Sequence, residues 1–154
     1  MSNPCLETGA IVRIRILFIS TDNAIRSQIA EGYLRFQYGD IFEVYSAGIR
    51  PLTVHPMAVE VMQEIGIDIS RQQSDDIFMY LDKNIDLAVS LCEKASYACP
   101  VFPGARKTVH QEFFYITCPQ EKNDNYRKEF LLLRDEIISW IDENAKTGGL
   151  FHFL

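Results

Sequence analysis

The sequence predicts an α/β domain in which helices cover both faces of a parallel β-sheet. One observation is the order of segments along the chain, which alternates as strand, helix, strand, helix, strand, loop and helix. Another is the segment at 12–20, "VRIRILFIS", which passes from alternation into an unbroken apolar run, as strands buried on both faces do. The third is size: 154 residues, 47% of them hydrophobic, suffice for one domain with a real core.

The first helix is predicted over residues 27–38. Ile29 and Tyr33 fall on one helical stripe, and Gly39 follows as a stop signal. Residues 42–48, "FEVYSAG", are rich in residues that favour strands and form the second strand.

The second helix is predicted over 56–65, because Pro56 suits a first helical position and Gly66 ends the pattern. A short apolar run at 86–91, "DLAVSL", is the third strand. The region 92–120 contains several prolines and a glycine, so it is predicted to be loop-rich. A long final helix spans about 124–144, with a core stripe of Phe130, Leu133, Ile137 and Ile141.

Charge and composition exclude several classes of protein. The net charge of −6 disfavours nonspecific binding to nucleic acid or to anionic membranes. No apolar run approaches the roughly 20 residues that span a bilayer, and the first residues lack the pattern of a secretory signal. We therefore expect a cytoplasmic protein with an N-terminal extension at 1–11, one domain at 12–146 and a tail at 147–154.

The segment "LFISTDNAIRSQIAEGYL" at 17–34 carries the strongest functional signal. Ligands of such folds bind at the carboxyl ends of the strands, and Ser20 lies at such an end. The amides of a helix N-terminus, a nest of loop amides and the planar fork of Arg26 are all suited to an anion. A plain turn with a surface arginine is the alternative. The predicted oxyanion-binding residues are Thr21, Asp22, Asn23, Ala24, Ile25, Arg26 and Ser27.

Several segments together resemble a known family. "ILFISTDNAIRSQIAEGYLR", "VYSAGI", "AVEVMQEIGIDIS", "DLAVSLC" and "RDEI" are similar, in this order, to segments of the low-molecular-weight protein tyrosine phosphatase superfamily. Within it the likeness is greatest to thioredoxin-coupled arsenate reductases, and it extends from about residue 13 to 144. The resemblance implies three layers around a central parallel sheet of four strands.

The resemblance also implies roles for individual residues. The family places its nucleophilic cysteine where Ser20 stands, and an arginine at the position of Arg26 holds the charged oxygens. The residue matching Asn23 shapes the loop, and the hydroxyl matching Ser27 supports the thiolate. The ligand would be phosphate, sulfate or arsenate, and no cofactor is implied.

Two further cysteines, Cys92 and Cys99, match the redox pair of the reductases. In that family the second cysteine attacks the arsenic-bearing first one, and the third then forms a disulfide that thioredoxin reduces. Two incidental thiols are the alternative. Together with Cys118 they form a trio of soft ligands suited to an ion such as As(III) or zinc, but its spacing matches no compact metal motif, so we assign no metal site.

Four departures from the family pattern put turnover in doubt. Ser20 replaces the cysteine, and a serine hydroxyl stays protonated at neutral pH unless a base activates it. Asp22 replaces a glycine; at about 6 Å from an anion, with an effective dielectric of about 20, its repulsion is roughly 3 kcal/mol. Cys118 precedes Pro119 where the family has its general-acid aspartate. Ile25 stands where many reductases carry a further cysteine.

Two histories account for Ser20: a deliberate substitution that traps the substrate, or natural loss of the cysteine. Natural loss explains all four departures at once, so we favour it. The predicted function is the handling of arsenate or of phosphate monoesters at Ser20–Arg26 with little or no turnover, with thioredoxin as a possible partner through Cys92 and Cys99. The alternative is a non-catalytic regulatory module that binds an oxyanion or a phosphorylated partner.

Overall fold

The structure is a computed structural model that describes residues 12–91, 102–114, 116 and 124–149. The predicted extension at 1–11 and residues 150–154 of the predicted tail lie outside the described residues. In chain order the elements are β1 (Ile14–Ser20), α1 (Arg26–Tyr38), β2 (Phe42–Gly48), α2 (Pro56–Gln63), a 3-10 helix (Ile77–Tyr80), β3 (Ile85–Ser90), β4 (Ala105–His110) and α3 (Asp124–Lys146).

Four strands form one sheet in the order β2-β1-β3-β4, and every neighbouring pair is parallel. The predicted four-stranded parallel sheet is confirmed. In the register of β1, Ser20 pairs with Gly48 of β2, and Ile19 pairs with Ser90 of β3. The carboxyl ends of these three strands therefore meet at one edge of the sheet, and the loop that follows Ser20 begins there.

Each face of the sheet has its own apolar core, because alternate residues of β1 point to opposite faces. On one face Ile16 and Phe18 join a cluster that includes buried side chains of all three α-helices. On the other face Leu17 and Ile19 pack with Ile77 and Tyr80 of the 3-10 helix and with other buried residues. Both faces of β1 are thus covered, which explains the unbroken apolar run in its sequence.

Strand β4 lies inside the region that was predicted to be loop-rich, so that part of the prediction is wrong. Its sequence, "ARKTVH", is polar, and none of its side chains is fully buried. It pairs with β3 alone and forms an edge of the sheet. Edge strands often carry charges that discourage pairing with other chains, so β4 lacks the apolar signal of β1 and β3.

The helices agree closely with their predicted extents. Helix α2 ends at Gln63, and the left-handed Gly66 (φ 81°) lies shortly beyond it. His55 caps its start, since its Nδ1 accepts a hydrogen bond from the Met57 amide at 3.1 Å. Among the helices in the described ranges, none is both long and apolar enough to cross a membrane.

Candidate oxyanion-binding site

The loop between β1 and α1 is held by hydrogen bonds to the segment at 50–55. The Thr21 carbonyl accepts from the Arg50 amide at 2.9 Å, and the Asp22 carbonyl accepts from the Leu52 amide at 2.8 Å. The Ala24 carbonyl accepts from the His55 amide at 2.9 Å. The loop therefore turns a row of carbonyls toward one side.

The amides of the same peptide groups face the other way. In a planar trans peptide the N–H points opposite to the carbonyl before it, so the amides of Asp22, Asn23 and Ile25 are directed away from 50–55. The Asn23 amide points to the base of the loop, since it donates to Ser20 Oγ at 3.1 Å. Amides on the side of a loop that faces away from its carbonyl partners are the donors that an anion-binding nest uses.

Ser20 Oγ lies at the base of this loop and is 2% exposed as a residue. Ser27 Oγ lies 2.6 Å from it, and the Asn23 side-chain amide donates to Ser27 Oγ at 2.7 Å. Either hydroxyl can be the donor in the contact between Ser20 and Ser27, and Ser27 Oγ lies within hydrogen-bond distance of the side-chain atom at position 20. The roles that the family resemblance gives to Asn23 and Ser27 stay predictions.

Asn23 supplies the unusual backbone conformation of the loop. Its φ is 49°, in the left-handed region, whereas Asp22 is absent from the positive-φ residues of the described chain. The loop therefore needs no left-handed backbone at position 22, where the family has a glycine, because asparagine, which tolerates left-handed backbone well, takes that conformation one position later.

A buried polar network extends from Asn23 into the fold. Its side-chain amide also donates to Ser46 Oγ at 2.9 Å, and Ser46 donates to a carboxylate oxygen of Glu31. The Asn23 side-chain oxygen accepts from the Asp75 amide at 2.8 Å, and its backbone carbonyl accepts from Ser74 Oγ at 2.6 Å. Both hydrogen-bonding ends of the side chain are therefore engaged, and the loop conformation is tied to two distant segments.

Sequence reasoning missed Ser46, Glu31 and Asp75 as parts of this network. The signal was present for Ser46, which alternates with the apolar Phe42 and Val44 along the predicted second strand. Glu31 lies off the predicted apolar stripe of the first helix, so its burial had no signal in the sequence. Burial raises the pKa of Glu31 above its ordinary value, although Arg35, at 2.7 Å, opposes the shift.

The network offers Ser20 no general base. The Asn23 amide donates to both Ser27 and Ser46, so it cannot accept a proton from one side and pass it to the other. Within the described ranges, no carboxylate or imidazole is hydrogen-bonded to Ser20 Oγ. Activation of the hydroxyl for attack therefore has no visible source.

A small cavity of about 40 Å³ opens beside Ser20. It is lined by Ser20, Asp22, Ala24, Ile25, Arg26, Ile116 and Leu133. Arg26 is 8% exposed, and among ion pairs within the described part of the chain none joins it to Asp22. The cavity thus combines a guanidinium and loop amides with an apolar wall from Ile116 and Leu133.

The predicted redox residues Cys92 and Cys99 lie outside the described residues, as does Cys118. The redox role of Cys92 and Cys99, and the assignment of Cys118 to the position of the family's general acid, stay predictions.

Comparison with known proteins identifies the family. The model of the low molecular weight phosphotyrosine protein phosphatase family matches residues 15–125. The chain belongs to this family. An arsenate reductase from Halalkalibacterium halodurans is 42% identical over 133 residues, which cover 86% of this chain and 96% of that protein.

Solved structures of arsenate reductases share this fold. An arsenate reductase in its phosphate-binding state superposes with a TM-score of 0.69 at 26% identity, covering 87% of this chain and 98% of that one. A thioredoxin-dependent arsenate reductase from Corynebacterium glutamicum gives a TM-score of 0.66 at 26% identity, covering 94% of this chain and 66% of that one. The predicted membership of this family, with its likeness to arsenate reductases, is confirmed.

Proposed function

We propose that this family member binds inorganic arsenate or phosphate in the loop from Ser20 to Ser27 and converts neither at a useful rate. The observation that carries the proposal is a loop whose carbonyls are bound to 50–55 and whose Asn23 amide points to Ser20, beside the buried Arg26. The similarity to an arsenate reductase described in a phosphate-binding state supports the choice of ligand.

The lack of turnover follows from the chemistry of oxygen at position 20. In the thiol route that the family resemblance implies, two cysteine sulfurs are oxidised to a disulfide while arsenic(V) is reduced to arsenic(III). A serine ester of arsenate offers no sulfur for the second thiol to attack, so the electron pair cannot reach arsenic by that route. Hydrolysis of a phosphate monoester fails for a different reason, because the Ser20 hydroxyl has no base among the described residues.

We propose that thioredoxin was a partner of this protein's ancestors and is no longer coupled to arsenate in this chain. Cys92 and Cys99 retain the predicted spacing of a redox pair, and one similar structure is a thioredoxin-dependent reductase. Without a sulfur at position 20, oxidation of this pair is uncoupled from arsenate.

The test compares the parent chain with Ser20→Cys in three assays: calorimetric binding of phosphate, reduction of arsenate with thioredoxin, and hydrolysis of an aryl phosphate. We expect binding in both proteins and turnover only in Ser20→Cys. Turnover by the parent at the rate of the variant would refute the loss of chemistry. Binding without turnover in both proteins would favour the regulatory module over a recently silenced enzyme.

Arg26→Lys provides the control for the site itself. Lysine keeps the charge but lacks the planar fork, so we expect phosphate affinity to fall by about tenfold or more. Arg106→Lys on the exposed edge strand β4 makes the same exchange away from the loop and should leave the affinity unchanged. Equal effects of the two substitutions would show that phosphate does not bind at Arg26.

A further inference from the structure

Asp22 is the one acidic residue that lines the cavity beside Ser20, as far as the described chain shows. Its backbone is fixed there, because the Asp22 carbonyl accepts from the Leu52 amide at 2.8 Å. The residue is partly buried at the rim of a site whose other polar groups, the loop amides and Arg26, favour negative charge. A negatively charged side chain therefore lines a site that otherwise suits anions.

An ionised carboxylate can only accept hydrogen bonds. Sulfate at neutral pH also presents only acceptors, so a sulfate oxygen that faces Asp22 meets both like charge and a missing donor. Phosphate and arsenate differ, since at neutral pH each still carries a hydroxyl on at least one oxygen. That hydroxyl can donate a charge-assisted hydrogen bond to Asp22 while Arg26 and the amides bind the remaining oxygens.

We propose that Asp22 makes the loop selective for tetrahedral oxyanions that carry a proton, inorganic phosphate and arsenate, and against sulfate. The inference rests on the proposed oxyanion binding and names the substrate class of that same site. The loop amides and Arg26 respond to charge and shape, which sulfate and phosphate share, so they cannot supply this selection. Asp22 is the lining residue that distinguishes a protonated oxygen from a bare one.

The same reasoning extends to esters. A phosphate monoester has a second pKa of about 6, so at neutral pH most of it is the dianion without a hydroxyl. Asp22 then faces a bare oxygen or the ester group. The loop should therefore prefer the inorganic anions to phosphorylated partners.

The experiment measures the affinities of phosphate, arsenate and sulfate by calorimetry at one neutral pH and one ionic strength. The proteins are the parent, Asp22→Gly, Asp22→Asn and the control Asp40→Asn, which removes the same charge at an exposed position beyond α1. Thermal unfolding of each protein checks that the fold is retained. In the parent we expect phosphate to bind about tenfold or more tightly than sulfate, as loss of a charge-assisted hydrogen bond implies.

In Asp22→Gly the ratio of phosphate to sulfate affinity should approach one, mainly because sulfate binds better. Asp22→Asn, whose amide can donate to sulfate, should shift the ratio further toward sulfate, and Asp40→Asn should leave it unchanged. Equal affinities in the parent, or an unchanged ratio in both Asp22 variants, would overturn the inference while leaving oxyanion binding intact. If the parent and Asp22→Gly bind none of the three anions, the proposed function itself is wrong, and the inference is lost with it.

Discussion

Restoring sulfur at position 20 is the most direct probe of the loop. In Ser20→Cys the new Sγ would occupy the place of Ser20 Oγ, which now has Ser27 Oγ at 2.6 Å and the Asn23 amide at 3.1 Å. A thiolate there would accept both as charge-assisted hydrogen bonds. Each contributes about 1.5–3 kcal/mol, so together they favour the thiolate by about 3–6 kcal/mol.

Burial opposes this gain, because position 20 is 2% exposed. Taking about half of the gain as lost to desolvation leaves about 1.5–3 kcal/mol, which is a factor of about ten to a hundred in the ionisation equilibrium. The pKa of the introduced thiol should therefore lie about one to two units below that of a free cysteine, so that a substantial fraction of the thiol is ionised at neutral pH.

The assay is the pH dependence of ultraviolet thiolate absorbance, taken as the difference between Ser20→Cys and the parent so that the four other cysteines cancel. A second variant, Ser20→Cys with Ser27→Ala, removes one hydrogen-bond donor to the thiolate. Its ionisation constant should be about tenfold smaller than that of Ser20→Cys alone, so its thiol pKa should be higher. An introduced thiol that titrates like free cysteine, or one that is indifferent to Ser27→Ala, would refute the geometry assigned to this loop.

Three other predictions test the surroundings of the loop. Gly48→Ala would place a Cβ 2.9 Å from both the backbone nitrogen and the Cβ of Asn23. We expect the free energy of unfolding in urea to fall by about 1–3 kcal/mol and phosphate binding to weaken. An unchanged affinity would contradict the tight packing of β2 against the loop. Burial raises the pKa of Glu31, so its contribution to stability is present below the ordinary carboxyl pKa and is lost as pH rises through the raised value. Glu31→Gln should therefore lose less unfolding free energy than the parent between about pH 4 and pH 7. If the two proteins gave parallel plots of unfolding free energy against pH, the raised pKa would be refuted. Asp142 accepts from the hydroxyls of Tyr33 and Tyr38 at 2.7 Å each, and burial followed by this hydrogen bond raises the pKa of Tyr38 to about 12. Because the raised pKa makes stability fall as pH climbs from about 10 to 12, Asp142→Asn should show a shallower fall in unfolding free energy over that interval, and a steeper one would reverse the assignment.

The central part of the fold could be predicted because its signals are local. An unbroken apolar run predicts strand β1. A stripe of apolar residues predicts α3, and Leu133 and Ile137 of that stripe are fully buried. Strand β4 could not be found in this way. It is an exposed edge whose place in the sheet depends on pairing with β3, and a pairing between distant segments leaves no periodic trace in a polar hexapeptide.

The site shows the same division. The positions of Ser20, Arg26 and Ser27 followed from the order of strand, loop and helix. The positive φ of Asn23 was not predicted, because the sequence of a loop does not reveal which of its residues takes that conformation. The contacts of Asn23 with Ser46 and Asp75 join segments 23 and 52 residues apart, so only the folded chain brings them together.

The engagement of Asn23 on all sides has a consequence for how such a protein can change over generations. Hydrogen bonds from Asn23 tie the loop at 20–27 to β2 and to the segment before the 3-10 helix. None of these hydrogen bonds involves the side chain at position 20. Exchanging oxygen for sulfur at position 20 therefore costs the fold little stability. Mutation there can abolish or restore the chemistry while the loop at 20–27 keeps its shape.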